Sequence, residues 1–247
     1  YKKSYCWVLE NNPTIKFYER SGANFSGHTK VDEIGGKNFK ELAYDWDSLD
    51  IGDYRWEPLA VEDVKSVLKP FKHQWWIAGG WAIDLFIGRQ TRKHKDIDVL
   101  VRRDDQLEVQ KLLAGWDLWT ANPPGTLKPW KLGEFLGKGL QDIWGRRTSK
   151  DPWQIQIMLF DTEKDEWIFK RDESIRRSLN LMTVFAKDGT SLLAPEVQLL
   201  YKSKLLREKD VSDFKVALPK MSSDQKKWLK ESLVKVYREK HEWIECL

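Results

Sequence analysis

Two aspartates two residues apart, Asp96 and Asp98, end a run that begins with paired glycines, Gly79 and Gly80. On an extended strand, residues i and i+2 share a face, so the spacing predicts two parallel carboxylates with Ile97 turned into the core. Such carboxylates repel unless a cation lies between them. Mg²⁺ or Mn²⁺ meets that need, because a hard divalent ion takes oxygen ligands from one or two carboxylates and from substrate phosphates. Held this way, the ion aligns and neutralises a nucleoside triphosphate during in-line attack. Gly79 and Gly80 stand just ahead of a predicted helix, where missing side chains and free N–H groups let a phosphate approach. The intervening run Arg89-Gln90-Thr91-Arg92-Lys93-His94-Lys95 is cationic, and Arg92 is its candidate phosphate partner.

Each feature alone has a plain structural explanation: polar residues on a solvated strand, a turn, a solvated loop. Their order (Gly-Gly, helix, cationic loop, D-x-D strand) is far more specific. Lys202, Lys204 and Lys209 follow much later, and Lys204 is the candidate to reach a triphosphate. Lys202 and Lys204 do not share a helical face. His94 either meets a phosphate or satisfies its loop, and Asp84 either faces the site or makes a structural hydrogen bond. Individually, Trp75, Trp76, Trp81, Trp116, Trp119, Trp130 and Trp144 suit core packing better than a stacking platform. Asp161, Glu163, Asp165 and Glu166 would supply an acidic patch for a cationic ligand, although a solvated turn explains them better.

The elements that must hold these residues can be read from periodicity and punctuation. After a break at Asp45 to Pro58, a helix over Val61–Leu68 precedes a strand at Trp75–Ala78. A helix over Trp81–Phe86 is ended by Gly88. A strand at Asp96–Val101 and a helix at Asp104–Leu113 follow. Leu140–Arg146 and Trp153–Phe160 form a hairpin, and Trp167–Arg171 is a further strand. The rest is helical: Glu196–Arg207, Val211–Leu218 and Ser223–His241. Ahead of the break come a strand at Tyr5–Glu10, a helix from Pro13 to Arg20 ended by Gly22, and two strands, Asn24–Glu33 and Phe39–Asp45, around Gly35–Gly36. The class is α/β with a helical C-terminal part.

The 247 residues, 41% hydrophobic and 32% charged, suit a folded chain rather than a disordered one. A net charge of +4 permits an anionic ligand without requiring nucleic acid, and no nucleic-acid motif accompanies the basic stretch from Lys226 to Lys240. The longest apolar stretch, Trp75 to Gly88, contains Asp84 and is too short to span a bilayer. Cys6 and Cys246 have no metal-ligand or disulfide-framework spacing, so a reducing cytoplasm is expected.

The runs Ile77-Ala78-Gly79-Gly80-Trp81-Ala82-Ile83-Asp84 and Gly88-Arg89-Gln90-Thr91-Arg92-Lys93-His94-Lys95-Asp96-Ile97-Asp98 resemble the aminoglycoside adenylyltransferase-like branch of the nucleotidyltransferase superfamily. The resemblance extends from about residue 57 to the C-terminus, through Asp142-Ile143-Trp144 and Ala194-Pro195-Glu196-Val197-Gln198-Leu199-Leu200-Tyr201-Lys202-Ser203-Lys204. It implies a polymerase-beta-like mixed sheet over residues 57–247, with 195–247 as its helical part. It also implies that Gly79 and Gly80 contact nucleotide phosphates and that Asp96 and Asp98 hold the metal. The implied activity is transfer of a nucleoside monophosphate, AMP from Mg-ATP or another NTP, to a hydroxyl of a small molecule such as an aminoglycoside-type antibiotic. The superfamily adds a third carboxylate from a later strand. Here that position falls at Gln156, and glutamine cannot act as a base. Asp142 or Asp161 is the available substitute. A nucleotide-binding module with weakened catalysis and a protein-directed transferase of toxin–antitoxin type are the alternatives.

Residues 1 to about 46 resemble the C-terminal end of a GNAT acetyltransferase, through Cys6-Trp7-Val8-Leu9-Glu10-Asn11-Asn12-Pro13 and Phe17-Tyr18-Glu19-Arg20-Ser21-Gly22-Ala23. This piece, 1–50 as a unit, lacks the family's Gly-rich coenzyme A loop and should not acetylate alone. It is expected either to belong to a longer bifunctional protein or to dock or dimerise through its edge strand.

Overall fold

The computed structural model describes residues 4–12, 15–20, 23–34, 37–46, 55–121 and 126–247. Its contacts divide into two units, Tyr1–Tyr54 and Arg55–Leu247.

In the first unit, β1 (Ser4–Leu9), α1 (Ile15–Arg20), β2 (Asn24–Ile34) and β3 (Lys37–Trp46) follow the expected order. The antiparallel sheet runs β1-β3-β2. Alternation turns Val8 and Tyr44 into a small core with Ala23, bordered by Cys6, Ile15, Tyr18 and Leu42. The readings placed on Pro13, Gly22 and Gly35–Gly36 fall outside the described residues.

In the second unit, α2 (Val61–Leu68) matches its expected bounds. β4 (Trp75–Ile77) leads into α3 (Gly79–Ile87), then β5 (Asp98–Arg102), α4 (Gln106–Leu112), β6 (Asp117–Ala121) and β7 (Leu127–Pro129). The hairpin of β8 (Asp142–Arg146) and β9 (Ile155–Phe160) forms as expected. Short strands follow: β10 (Thr162–Glu163), β11 (Glu166–Ile168), β12 (Arg176–Ser178), β13 (Thr183–Phe185) and β14 (Ser191–Leu193). The chain then turns helical, with α5 (Pro195–Lys202), α6 (Glu208–Ala217) and α7 (Ser223–Tyr237). Ser222 and Gln225 cap α7 reciprocally.

Eight strands build one mixed sheet in the order β13-β14-β4-β5-β9-β8-β6-β7. β5 and β9 are parallel neighbours, whereas β4 with β5 and β8 with β9 are antiparallel. Alternation gives the sheet two faces. Val99, Val101, Ile143, Ile155, Ile157 and Leu159 pack with Val64 and Leu68 of α2 and Val109 of α4. Leu100 and Trp76 belong to the opposite core, with Val197 and Leu200 of α5, Phe214 of α6, and Leu229 and Leu233 of α7. No helix among the described residues is long and apolar enough to cross a membrane.

Three boundaries differ from expectation where chemistry is concerned. α3 begins at Gly79 rather than Trp81, so both glycines form its first turn. β5 begins at Asp98, leaving Asp96 in the preceding loop. Extended pairing nevertheless reaches back to Ile97, whose carbonyl accepts from Gln156 N at 3.0 Å. α5 stops at Lys202 instead of continuing to Arg207; Leu206 takes φ 47°, a left-handed turn that separates α5 from α6.

Candidate functional site

A cleft of about 330 Å³ opens on the α5–α6 side of the sheet. Strand period brings Asp98 and Leu100 of β5 and Gln156 and Met158 of β9 to its floor. Asp142 joins them from β8, and Asp96 from the loop before β5. Gly79, Gly80, Arg92, Gln198, Lys202, Arg207 and Lys209 complete the principal polar walls. Of the residues given site roles from the sequence, Asp96, Asp98, Gly79, Gly80, Arg92 and Gln156 are therefore together.

Lys204 is not among them. It is exposed in the turn after α5 and does not line the cleft. Lys202, on the last turn of α5, takes that place because Lys204 lies beyond the helix end. Among the aromatic candidates, Trp76 and Trp130 are buried in the two cores, as packing residues should be. Asp161 is held by Arg103 at 2.5 Å and Glu163 by Arg176 at 2.5 Å, and neither carboxylate lines the cleft.

The glycines work by admitting neighbouring side chains. Gly79 has φ +66°, a conformation that disfavours any residue with a Cβ, and a Cβ there would lie 2.0 Å from Asp98 Oδ2. Its N–H donates to Gln198 Oε1 at 2.7 Å, so this amide is already committed within the protein. A Cβ on Gly80 would meet Arg92 Nη2 at 2.2 Å and His94 Nδ1 at 2.5 Å. The paired glycines thus let the D-x-D strand and the cationic loop close on the first turn of α3. Buried Asp84 secures that loop: its carboxylate accepts from Thr91 Oγ1 at 2.5 Å and pairs with His94 Nε2 at 2.6 Å. His94 is accordingly a loop-holding residue that does not line the cleft.

Charge is sharply partitioned. Burial and the neighbouring Asp96 push the Asp98 carboxyl up to about 7, opposed by Lys202. On the helical side, Arg92 makes a bidentate pair with Asp213 at 2.8 and 2.9 Å, and Lys202 reaches the same carboxylate at 2.8 Å. Arg207 binds Asp210 at 2.7 Å. Gln156, cross-strand from Asp98, donates through Nε2 to Asp142 Oδ1 at 3.0 Å.

These donors fit a hard divalent cation. Asp96 and Asp98 present oxygen ligands, and the raised Asp98 carboxyl marks a site where negative charge lacks compensation. Among the described residues, no three His, Cys, Asp or Glu side chains form a ready-made cage. A pair of carboxylates from the chain suits an ion that shares its coordination with a phosphate ligand.

Sequence reasoning missed Gln198, Arg207, Asp210 and Asp213. Gln198 carries a signal only in retrospect, as a polar residue amid the apolar run of α5. Asp210 and Asp213, three apart, mark one face of α6, but nothing local says that the face meets a loop more than a hundred residues earlier.

Comparison with known proteins bears on the central part of the chain. An Escherichia coli 2''-aminoglycoside nucleotidyltransferase is 49% identical over 43 residues, which are 16% of this chain and 24% of that protein. A Klebsiella pneumoniae 2''-aminoglycoside nucleotidyltransferase is 47% identical over 38 residues, 15% of this chain and 22% of that protein. The matched stretch spans about a quarter of the length of these curated relatives. Among solved structures, the lincomycin-bound lincosamide antibiotic adenylyltransferase LnuA aligns with 65% of this chain and 97% of its own, at 20% identity and TM-score 0.45. ANT(2")-Ia in complex with adenylyl-2"-tobramycin aligns with 71% of this chain and 95% of its own, at 12% identity and TM-score 0.47. Residues 60–120, which hold Gly79, Gly80, Arg92, Asp96 and Asp98, match the model of the aminoglycoside-2''-adenylyltransferase family, and over that stretch the resemblance read from the sequence is borne out.

Proposed function

We propose that this chain transfers a nucleoside monophosphate, AMP from Mg-ATP, to a hydroxyl of a small antibiotic-like molecule, with an aminoglycoside as the first candidate. The observation that carries this reading is one cleft lined by three carboxylates, Asp96, Asp98 and Asp142, and four cations, Arg92, Lys202, Arg207 and Lys209. Asp96 and Asp98 would hold Mg²⁺, which neutralises charge on the triphosphate and orients it. The cations are placed to receive the polyphosphate. The cleft volume lies at the small end of ligand pockets, enough for the reacting centre, with the body of the acceptor resting outside it.

An attacking hydroxyl must lose a proton. Gln156 cannot take it, and Asp161 is paired elsewhere. Asp142 is the cleft carboxylate assigned to the role, and the Gln156 amide fixes its Oδ1. As the acceptor oxygen bonds to the α-phosphorus, the bond to the departing pyrophosphate breaks. The hydroxyl proton passes to Asp142 and then to solvent.

The decisive experiment measures pyrophosphate release with each NTP across a panel of aminoglycosides and lincosamides, using wild type and Asp142→Asn. Release that requires both ATP and one antibiotic class, and that falls sharply in Asp142→Asn, supports the assignment. A second reading, a nucleotide-binding module without transfer, is favoured by the glutamine at 156. Calorimetric Mg-ATP binding with no pyrophosphate release on any acceptor would establish it instead.

For residues 1–46 we propose a GNAT-like terminal piece, supported by the β1-α1-β2-β3 order. Its sequence carries no Gly-rich loop of the coenzyme A-binding kind ahead of a helix, so on this reading the piece is not expected to transfer acetyl groups by itself. We place the protein in the cytoplasm, in keeping with the free thiols of Cys6 and Cys246.

A further inference from the structure

Two carboxylates of α6, Asp210 and Asp213, are fully buried, and neither lines the cleft. Between them they hold three cations that do line it, each from a different part of the chain: Arg92 from the loop after α3, Lys202 from the end of α5 and Arg207 from the turn before α6. Asp213 has the central place. One oxygen accepts from Arg92 Nε at 2.8 Å, and the other receives both Arg92 Nη2 at 2.9 Å and Lys202 at 2.8 Å. Burial opposes ionisation of Asp213, but Arg92 and Lys202 outweigh it and hold the carboxyl below its ordinary range.

Neutralisation alone does not explain this geometry. A buried carboxylate needs a partner, but here it takes two, from segments 110 residues apart, and fixes both at the cleft wall. The fork onto Arg92 leaves Nη1 uncommitted except for a long 3.4 Å contact with Lys93 O. Lys202 keeps donor capacity beyond its two carboxylate contacts. Both cations are thus pinned on one side and open on the other, and pre-set donors bind a polyphosphate without the entropy cost of ordering two long side chains.

We propose that Asp213 is a positioning residue that sets Arg92 and Lys202 as a preformed polyphosphate clamp. This rests on the nucleotidyl-transfer reading for its ligand, but it can fail independently. The sign of one measurement distinguishes positioning from simple charge balance. Removing a negative charge behind two cations raises the local positive potential, which by Coulomb attraction alone would tighten phosphate binding. Loss of positioning weakens it.

The experiment is calorimetric titration of the full chain with inorganic tripolyphosphate and with Mg-ATP, well below the melting temperature. Asp213→Asn is expected to weaken both ligands by about tenfold or more, corresponding to about 1.4 kcal/mol. Arg92→Lys retains the charge but loses the fork, keeps Asp213 ionised and guards against misfolding of the first variant; it should weaken tripolyphosphate in the same direction. In an Arg92→Lys background, Asp213→Asn should cost less than it does alone, because both changes break one contact. Unchanged or tighter binding in folded Asp213→Asn, or unchanged binding in Arg92→Lys, overturns the positioning role while leaving the transfer reading intact. Absence of tripolyphosphate and Mg-ATP binding by wild type overturns both.

Discussion

Two pairs of aspartates, one lining the cleft and one behind its cationic wall, have opposite electrostatic circumstances. Asp210 and Asp213, on α6, are buried among this chain's own cations, and both carboxyls are held below their ordinary range against the penalty of burial. Asp96 and Asp98, at the sheet, line the cleft and make no direct ion pair to a cation among the described residues, and Asp98 is driven up to about 7. The chain neutralises the first pair internally; under the proposed function the second is left to an external cation. On the proposed reading one pair is structural and the other serves a ligand; the first is fully buried and the second half-buried, although both lie near lysine and arginine.

This contrast can be broken at several points. The largest effect belongs to Asp98→Asn, expected to reduce AMP transfer by about three orders of magnitude, the scale of losing a principal electrostatic group in a catalytic site. The same variant should melt no lower than wild type without metal, because it removes an uncompensated carboxylate; a pyrophosphate assay beside a melting curve reads both. Asp213→Ala should do the reverse to stability, costing about 3–5 kcal/mol in urea denaturation because it strands two cations at a buried site. If Asp98→Asn is the less stable of the two in metal-free buffer, the distinction between the pairs fails.

Gly79→Ala tests how tightly the sheet pair is packed. The left-handed backbone alone costs about 1–2 kcal/mol, and the new Cβ would displace the Asp98 carboxylate. Loss of Mg²⁺-dependent thermal stabilisation should therefore exceed the loss of stability in chelator. Equal losses would mean that Asp98 takes no part in metal binding.

The smallest effect is one of pH. A carboxyl whose folded-state pKa is raised favours the folded state below its unfolded value of 3.8, and that contribution is lost as pH rises through about 7. Metal-free stability should accordingly decline across this window. Mg²⁺ must displace the proton below pH 7, so its apparent affinity should fall by about tenfold for each unit below that point. The Mg²⁺ melting shift should be larger at pH 8 than at pH 6 in wild type and flat in Asp98→Asn.

Much of the site was legible because its parts are local. Strand period placed Ile97 in the core, where it is fully buried. Gly88 was read as a helix stop and has φ +81° at the C-cap of α3. Boundaries were less legible. The glycines read as a phosphate-facing turn because absence of a side chain says only that something must come close, not whether that is a ligand or Asp98 and Arg92 of the same chain. Lys204 was favoured over Lys202 because the end of α5 is set by the turn at Leu206, and no residue there announces a left-handed conformation in advance.

The local order Gly-Gly, helix, cationic loop and D-x-D was determined by the sequence alone, since turn chemistry and a two-residue strand period act over a few residues. The tertiary structure decided everything that depends on register and long-range approach. The pairing of β8 with β9 put Asp142 beside Gln156 and so supplied the cleft with a third carboxylate. The packing of α6 against the loop after α3 brought Asp213 to Arg92 across 121 positions. Neither contact has a periodic signature, because each is selected by how whole elements bury their apolar faces, and the charged partners are carried along with them.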